Sequence, residues 1–322
     1  MLIPILLFIL GFILLIKGGD WFVEGAVSVA NRFNLPELLI GATVVSIGTT
    51  LPEVMVSAQA ALAGSSGLSY GNAIGSIICN TSLIAALTVA VRPGAVKRKT
   101  LVFPVIVFFL AAALYAGCAY TSGRFQRWNG ILFLFIFVIY LVITILQMKK
   151  NPEAAAADED RHPENIPVWK SALLLVVGAV AIAFGANLLV NNGTIIAQAL
   201  GVPDSVIGLT MVALGTSLPE LITAITSLIK GHSSLSLGNI IGANLFNIVL
   251  VSGTAITINP FSIPTEKTIA GMNASLVVDL PIMIGVMLIL CLPTLMKEKL
   301  SRWQGVLLLC IYFSFTAFQF LF

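Results

Sequence analysis

The chain has 322 residues, 58% of them hydrophobic and 10% charged, with a formal net charge of +3. A soluble domain carries about 25% charged residues, so this composition and a mean hydropathy of +1.03 read as a multi-span helical membrane protein. The basic residues sit in short loops between apolar runs, which argues against nucleic-acid binding. Four scattered cysteines (Cys79, Cys118, Cys291, Cys310) and two histidines (His162, His232) give a zinc site or haem little to build on.

Apolar runs of about 20 residues, the length that spans a bilayer, occur at roughly 2–25, 36–63, 71–91, 101–120, 128–148, 170–193, 204–229, 236–257, 272–296 and 303–322. Met1–Ile16 has no positive segment before it and no small-residue cleavage site, so it reads as an uncleaved first span. The segment 149–168 holds Glu153, Asp158, Glu159, Asp160 and Glu164 around an alanine run and reads as a cytoplasmic linker. It separates a first half, 1–148, from a second, 169–322. With both termini outside, inside loops hold Arg32, Arg92, Lys97, Arg98, Lys99, Lys149, Lys150, Arg161, Lys170, Lys230, Lys297, Lys299 and Arg302, against Arg124, Arg127 and Lys267 outside. That bias satisfies the positive-inside rule.

One stretch occurs twice. Gly41-Ala-Thr-Val-Val-Ser46-Ile-Gly48-Thr49-Thr50-Leu-Pro52-Glu53 returns 167 residues later as Gly208-Leu-Thr-Met-Val-Ala213-Leu-Gly215-Thr216-Ser217-Leu-Pro219-Glu220, with 8 of 13 positions identical. At the same offset Gly71-Asn72 matches Gly238-Asn239, Ile74-Gly75 matches Ile241-Gly242, and Asn80 matches Asn247. The motifs therefore cover 41–80 and 208–247. Five spans per half is an odd number, so the second half enters the membrane with opposite polarity. The expected fold is all-α, with ten transmembrane helices as two inverted five-helix repeats and a site near the midplane where they meet.

Freed backbone groups and a buried carboxylate are expensive in lipid, and intramembrane ionisable residues read as functional. Pro52 lacks an N–H and should kink or break its helix around Thr49–Leu51, leaving Glu53 on the following half-helix. Ser46, Thr49 or Thr50, Glu53 and Ser57 then share a face; Thr216 or Ser217, Glu220 and Thr223 or Ala224 form its counterpart. The carbonyls of Ser46 and Ala213 are expected as further donors. Such an all-oxygen environment selects hard cations such as Na+, Ca2+ or Mg2+. Asn72, Ser76 and Asn80 face one way at four-residue spacing, opposite Asn239, Ala243 and Asn247; their amides ligate an ion, orient a carboxylate or bond a neighbouring helix. Lys17, Asp20 and Glu24 read as snorkelling or pairing at the interface. Asp279 has no counterpart carboxylate, since position 112 is alanine.

Gly-Thr-Thr-Leu-Pro-Glu and Gly-Thr-Ser-Leu-Pro-Glu, with Gly-Asn-Ala-Ile-Gly-Ser-Ile-Ile-Cys-Asn and Gly-Asn-Ile-Ile-Gly-Ala-Asn-Leu-Phe-Asn, resemble the α-1 and α-2 repeats of the cation/calcium antiporter superfamily. The resemblance implies that Glu53 and Glu220 hold Ca2+ or Na+ alternately, with Ser46, Thr49, Thr50, Ala213, Thr216 and Ser217 as hydroxyl and carbonyl ligands. It also implies roles for Ser76, Asn80 and Asn247. Some members, the potassium-dependent ones among them, have Asp where this chain has Asn247, which argues against K+ co-transport. Ala243 replaces the usual Ser of an outer Na+ site.

The expected function is Na+/Ca2+ antiport, with no cofactor, no enzymatic activity and no obligatory protein partner, by a monomer in the cell membrane. A Ca2+/H+ antiporter using the same glutamates is the nearest alternative. A cation channel suits paired, proline-flanked carboxylates less well, and an intramembrane hydrolase would need an acid/base signature that the chain lacks.

Overall fold

The computed structural model describes residues 2–33, 35–150, 167–200, 213–265, 268–269 and 271–321. Most of the 149–168 linker, and Gly208 to Val212 at the head of the second motif, lie outside the described residues. The rest is almost entirely helical: α1 (Leu2–Arg32), α2 (Glu37–Leu62), α3 (Ser66–Val91), α4 (Arg98–Ser122), α5 (Arg127–Lys150), α6 (Val168–Ala199), α7a (Ala213–Thr216), α7b (Leu218–Ile229), α8 (Ser233–Ile258), α9 (Ser275–Lys297) and α10 (Arg302–Leu321). Among the described residues, eight of these helices are long and apolar enough to cross a membrane. A departure from an all-helical chain is the small hairpin of β1 (Thr268–Ile269) and β2 (Met272–Asn273) ahead of α9.

Burial sorts centre from periphery. In α8, 83% of the apolar window is buried, against 22% in α1 and in α5. α8 crosses α2 at glycines that leave no room for a side chain: a Cβ at Gly41 would overlap the Leu235 carbonyl, one at Gly238 the Leu38 carbonyl, and one at Gly242 the Ser46 hydroxyl. Small residues allow this approach of backbones, the main source of helix association in lipid. Tyr140 of α5 donates to the Ala42 carbonyl at 3.0 Å, tying the periphery to the same crossing.

α1 and α6 form a second unit, packed antiparallel along their length. A Cβ at Gly11 would lie 2.8 Å from the Gly185 oxygen, at Gly18 2.9 Å from the Ala181 methyl, and at Gly25 2.8 Å from the Leu175 nitrogen. The seven-residue spacing keeps these glycines on one face of α1. Ser28 and Ser171 close the interface by a 2.7 Å hydrogen bond between hydroxyls. Asp20 of α1 forms an ion pair with Lys230 after α7b, at 3.5 Å, as the interfacial reading of that aspartate anticipated.

One local expectation needs narrowing. Pro52 does not break its helix: residues Ser46–Leu62 run on as α-helix through it. The irregularity lies upstream, as a π-helical segment at Gly41–Val45 that ends seven residues before Pro52. Only the second copy is interrupted, at Ser217 between α7a and α7b. A membrane helix tolerates proline where its surroundings re-satisfy the freed carbonyl. π-Segments also open at both repeated asparagines, Asn80–Ala85 and Asn247–Ser252, so the 167-residue match extends to backbone geometry.

Candidate cation site

The motif residues converge where α2, α3, α7b and α8 pack together. Glu53 and Glu220 are both 0% exposed. Among the described residues none of their four carboxylate oxygens has a hydrogen-bond partner, and the two groups lie near enough for their charges to repel. Ionised carboxylates buried in this way cost several kcal/mol each unless a cation or donor compensates them. No such donor bonds them among the described residues. Thr49 and Thr50 turn toward the Glu220 carboxylate without closing a hydrogen bond to it.

Around the pair lies a shell of similarly unspent polar atoms. The Thr50 and Ser217 hydroxyls are buried and unpartnered, as are both side-chain polar atoms of Asn80 and of Asn247. Each asparagine opens its π-segment, where the widened turn re-aims the side chain. The Cys79 thiol beside Asn80 lies next to Ser217 and within electrostatic range of both glutamates, which puts the middle of α3 at the same centre. Ser76 is buried one turn earlier on α3. Thr216 is half-buried at the end of α7a, the piece that Ala213 opens.

Other expected ligands are engaged in positioning. Ser46 donates to the Gly41 carbonyl at 2.7 Å and the Asn239 carbonyl at 2.9 Å, and Thr49 donates to Asn239 Oδ1 at 3.1 Å. Asn239 of α8 thus joins the second half to the α2 motif of the first. Its counterpart Asn72 works within its own half, donating to the Glu53 carbonyl at 3.1 Å and to Ser57 Oγ at 2.9 Å. The sequence marked both asparagines by their offset, but not this asymmetry, because it depends on which neighbour each helix meets. Ser227 escaped notice: with Thr223 it extends the Glu220 face at i+3 and i+7, and both hydroxyls are buried without partners. Asp279 stands apart, accepting from Gln319 of α10 at 3.1 Å.

The donor set is carboxylate, hydroxyl and amide oxygen, which suits a hard cation. Among the described residues no group of three or more His, Cys, Asp or Glu forms a transition-metal-type cluster. A narrow cleft, too tight to admit a water molecule, reaches toward Thr49 between the α1–α6 pair and the centre, lined by Phe22, Gly48, Thr49, Ala179, Ile182, Ala183 and Pro219.

The sequence matches the family model described as sodium/calcium exchanger protein, over residues 3–146 and 170–321. It is 31% identical over 345 residues to the sodium/calcium exchanger MaX1 of Methanosarcina acetivorans, covering 96% of each chain. It is 35% identical to the putative antiporter CaxA of Alkalimonas amylolytica, covering 100% of this chain and 99% of that one. Its fold is similar to the solved structure of the sodium-calcium exchanger NCX_Mj soaked with Na+ and Sr2+, with a TM-score of 0.81, 33% identity and 98% of each chain covered.

Proposed function

This chain belongs to the sodium/calcium exchanger protein family, and from that premise we propose that it is a secondary antiporter exchanging Na+ for Ca2+ by alternating access. Its relatives are membrane transporters rather than enzymes. The observation that carries the proposal is the pair of buried glutamates, one from each half, whose carboxylate oxygens have no hydrogen-bond partner among the described residues.

Charge arithmetic gives the coupling. An empty site carries about −2, which is costly to move across a dry barrier. One Ca2+ or two Na+ neutralise it, so loaded forms cross and empty forms stall. A third Na+ on hydroxyl and carbonyl oxygens leaves one net positive charge, making the cycle electrogenic. Asn247, a neutral amide, supports a K+-independent cycle. The ligand set is Glu53 and Glu220 with Thr49, Thr50, Thr216 and Ser217, the Ser46 and Ala213 carbonyls, and Ser76, Asn80 and Asn247. The protein acts as a monomer of two inverted five-helix repeats, 1–148 and 169–322, with the linker inside and both termini outside.

The glycine-packed α1–α6 pair is the moving gate, and the cleft behind Phe22 is a path it uncovers. Both helices slide as one body. A protein lacking its native cysteines, with Ser28→Cys and Ser171→Cys oxidised to a disulfide, is therefore expected to keep its exchange activity. Loss of flux on cross-linking, restored by reductant, would mean that the two helices move against each other.

Purified protein in sodium-loaded vesicles tests the function. Radiocalcium uptake is expected on dilution into sodium-free buffer, to collapse with a sodium ionophore and to shift with membrane potential. Uptake driven by a pH gradient alone, in the absence of Na+, would assign proton exchange instead.

A further inference from the structure

The fold builds one small scaffold twice, at opposite ends of the bundle. In the first copy Val96 N–H donates to the Glu298 carbonyl and Leu300 N–H to the Gly94 carbonyl, both at 2.8 Å, pairing Ala95 with Lys299. In the second, Ile263 N–H donates to the Gly123 carbonyl at 2.9 Å and Phe125 N–H to the Phe261 carbonyl at 2.8 Å, pairing Ser262 with Arg124. A left-handed residue turns each, Glu298 at φ 50° and Gly123 at φ 62°. Even the hook onto the neighbouring helix recurs at the 167-residue offset: Arg92 Nη1 donates to the Leu228 carbonyl at 3.3 Å, and Asn259 Nδ2 to the Ala61 carbonyl at 3.1 Å.

The backbones match and the charges do not. Arg92, Lys97, Arg98 and Lys99 stand where the chain 167 residues later has Asn259, Pro264, Thr265 and Glu266. The partner loop adds Lys297, Lys299 and Arg302 in the first copy, against Arg124 and Arg127 in the second. All seven cations of the first copy are exposed, and Glu298 is the carboxylate between them. Trp303, 50% exposed beside Arg302, adds an aromatic anchor of the kind found at headgroup depth. Since the same backbone closes at the other end with Asn259, Pro264 and Thr265 in place of Arg92, Lys97 and Arg98, folding of this scaffold does not require those three cations.

We propose that this basic platform binds the phosphate headgroups of anionic phospholipid. Clusters of four to eight Lys and Arg at a membrane surface hold such lipids, and guanidinium groups bind phosphate with charge-assisted hydrogen bonds. Through Arg92, bound lipid braces the end of α7b, the helix that carries Glu220. The charge bias that places this face inside gives it the leaflet from which it would draw lipid.

The test uses the full-length protein in zwitterionic detergent, followed by thermal melting during titration with phosphatidylglycerol, phosphatidylcholine or inorganic phosphate. Phosphatidylglycerol is expected to raise the melting temperature, the other two not, and about 0.5 M salt to remove the effect. The triple variant Lys97→Gln, Arg98→Gln, Lys99→Gln is expected to weaken that response by about tenfold in lipid concentration. Lys299→Gln shifts it in the same direction, and the double variant Arg124→Gln, Arg127→Gln on the mirrored scaffold leaves it unchanged. Equal responses to the two lipids, a response to phosphate alone, an unaltered triple variant, or an equal loss in the mirrored double variant would overturn the proposal. Micelles have no sides and melting needs no transport, so insertion orientation and the exchange reading do not enter the result.

Discussion

Glu53→Gln, and separately Glu220→Gln, is expected to abolish sodium-driven calcium uptake while the purified protein still elutes as a folded species. Each substitution keeps the shape of the side chain and removes half of the negative charge that a dehydrated divalent ion requires. Removing one partner from a buried charge constellation costs about 3–5 kcal/mol, more than a hundredfold in affinity. Among the described residues neither glutamate side chain has a hydrogen-bond partner whose loss would unfold the helices. The amides should therefore be tolerated structurally, or even stabilise the ion-free protein by relieving repulsion between the two carboxylates. Near-normal exchange in either variant would contradict a shared site.

Gly238→Ala is expected to have the largest effect on stability. The added methyl would overlap the Leu38 carbonyl and crowd its Cα at 2.9 Å. Those are backbone atoms of α2 and have no rotamer to escape into. Overpacking a core typically costs about 1–3 kcal/mol, and a rigid backbone contact belongs at the upper end of that range. Pushing α8 from α2 also pulls Asn239 from Ser46 and Thr49, so sodium dependence should shift to higher concentration along with the loss of stability. Gly117→Ala on α4 is the control, since its methyl meets nothing within 4 Å among the described residues. Thermal melting and yield of the two variants, measured side by side, check the comparison. Equal stability of Gly238→Ala and the wild type would show that the α2–α8 crossing is looser than the glycine contacts imply.

Much of the centre was legible from one number, the 167-residue offset. It paired Glu53 with Glu220 and Asn80 with Asn247 before any helix was placed, because polar residues in lipid-spanning runs have little reason to recur except for a shared site. The expectation of a break failed at Pro52, where a local rule about proline met a tertiary setting: the helix runs on through that turn, and the π-helical segment lies upstream at Gly41–Val45 instead. The π-segments at Asn80 and Asn247 were invisible for the same reason, since an added residue in a helix turn is stabilised by what it packs against. The bridged loops were hidden too, their partners lying 204 residues apart in one case (Ala95 and Lys299) and 138 in the other (Arg124 and Ser262). Lipid-facing and bundle-facing positions differ little in hydropathy, so periodicity alone did not separate the α1–α6 pair from the buried α8.

A structure determined with Ca2+ bound tests the shared site most directly. One ion is expected with carboxylate oxygens of both Glu53 and Glu220 within about 2.3–2.6 Å, the usual calcium–oxygen range, and hydroxyl or carbonyl oxygens from α2 and α7 completing its shell. An ion held by one half alone, with the other glutamate turned into a separate environment, would contradict it.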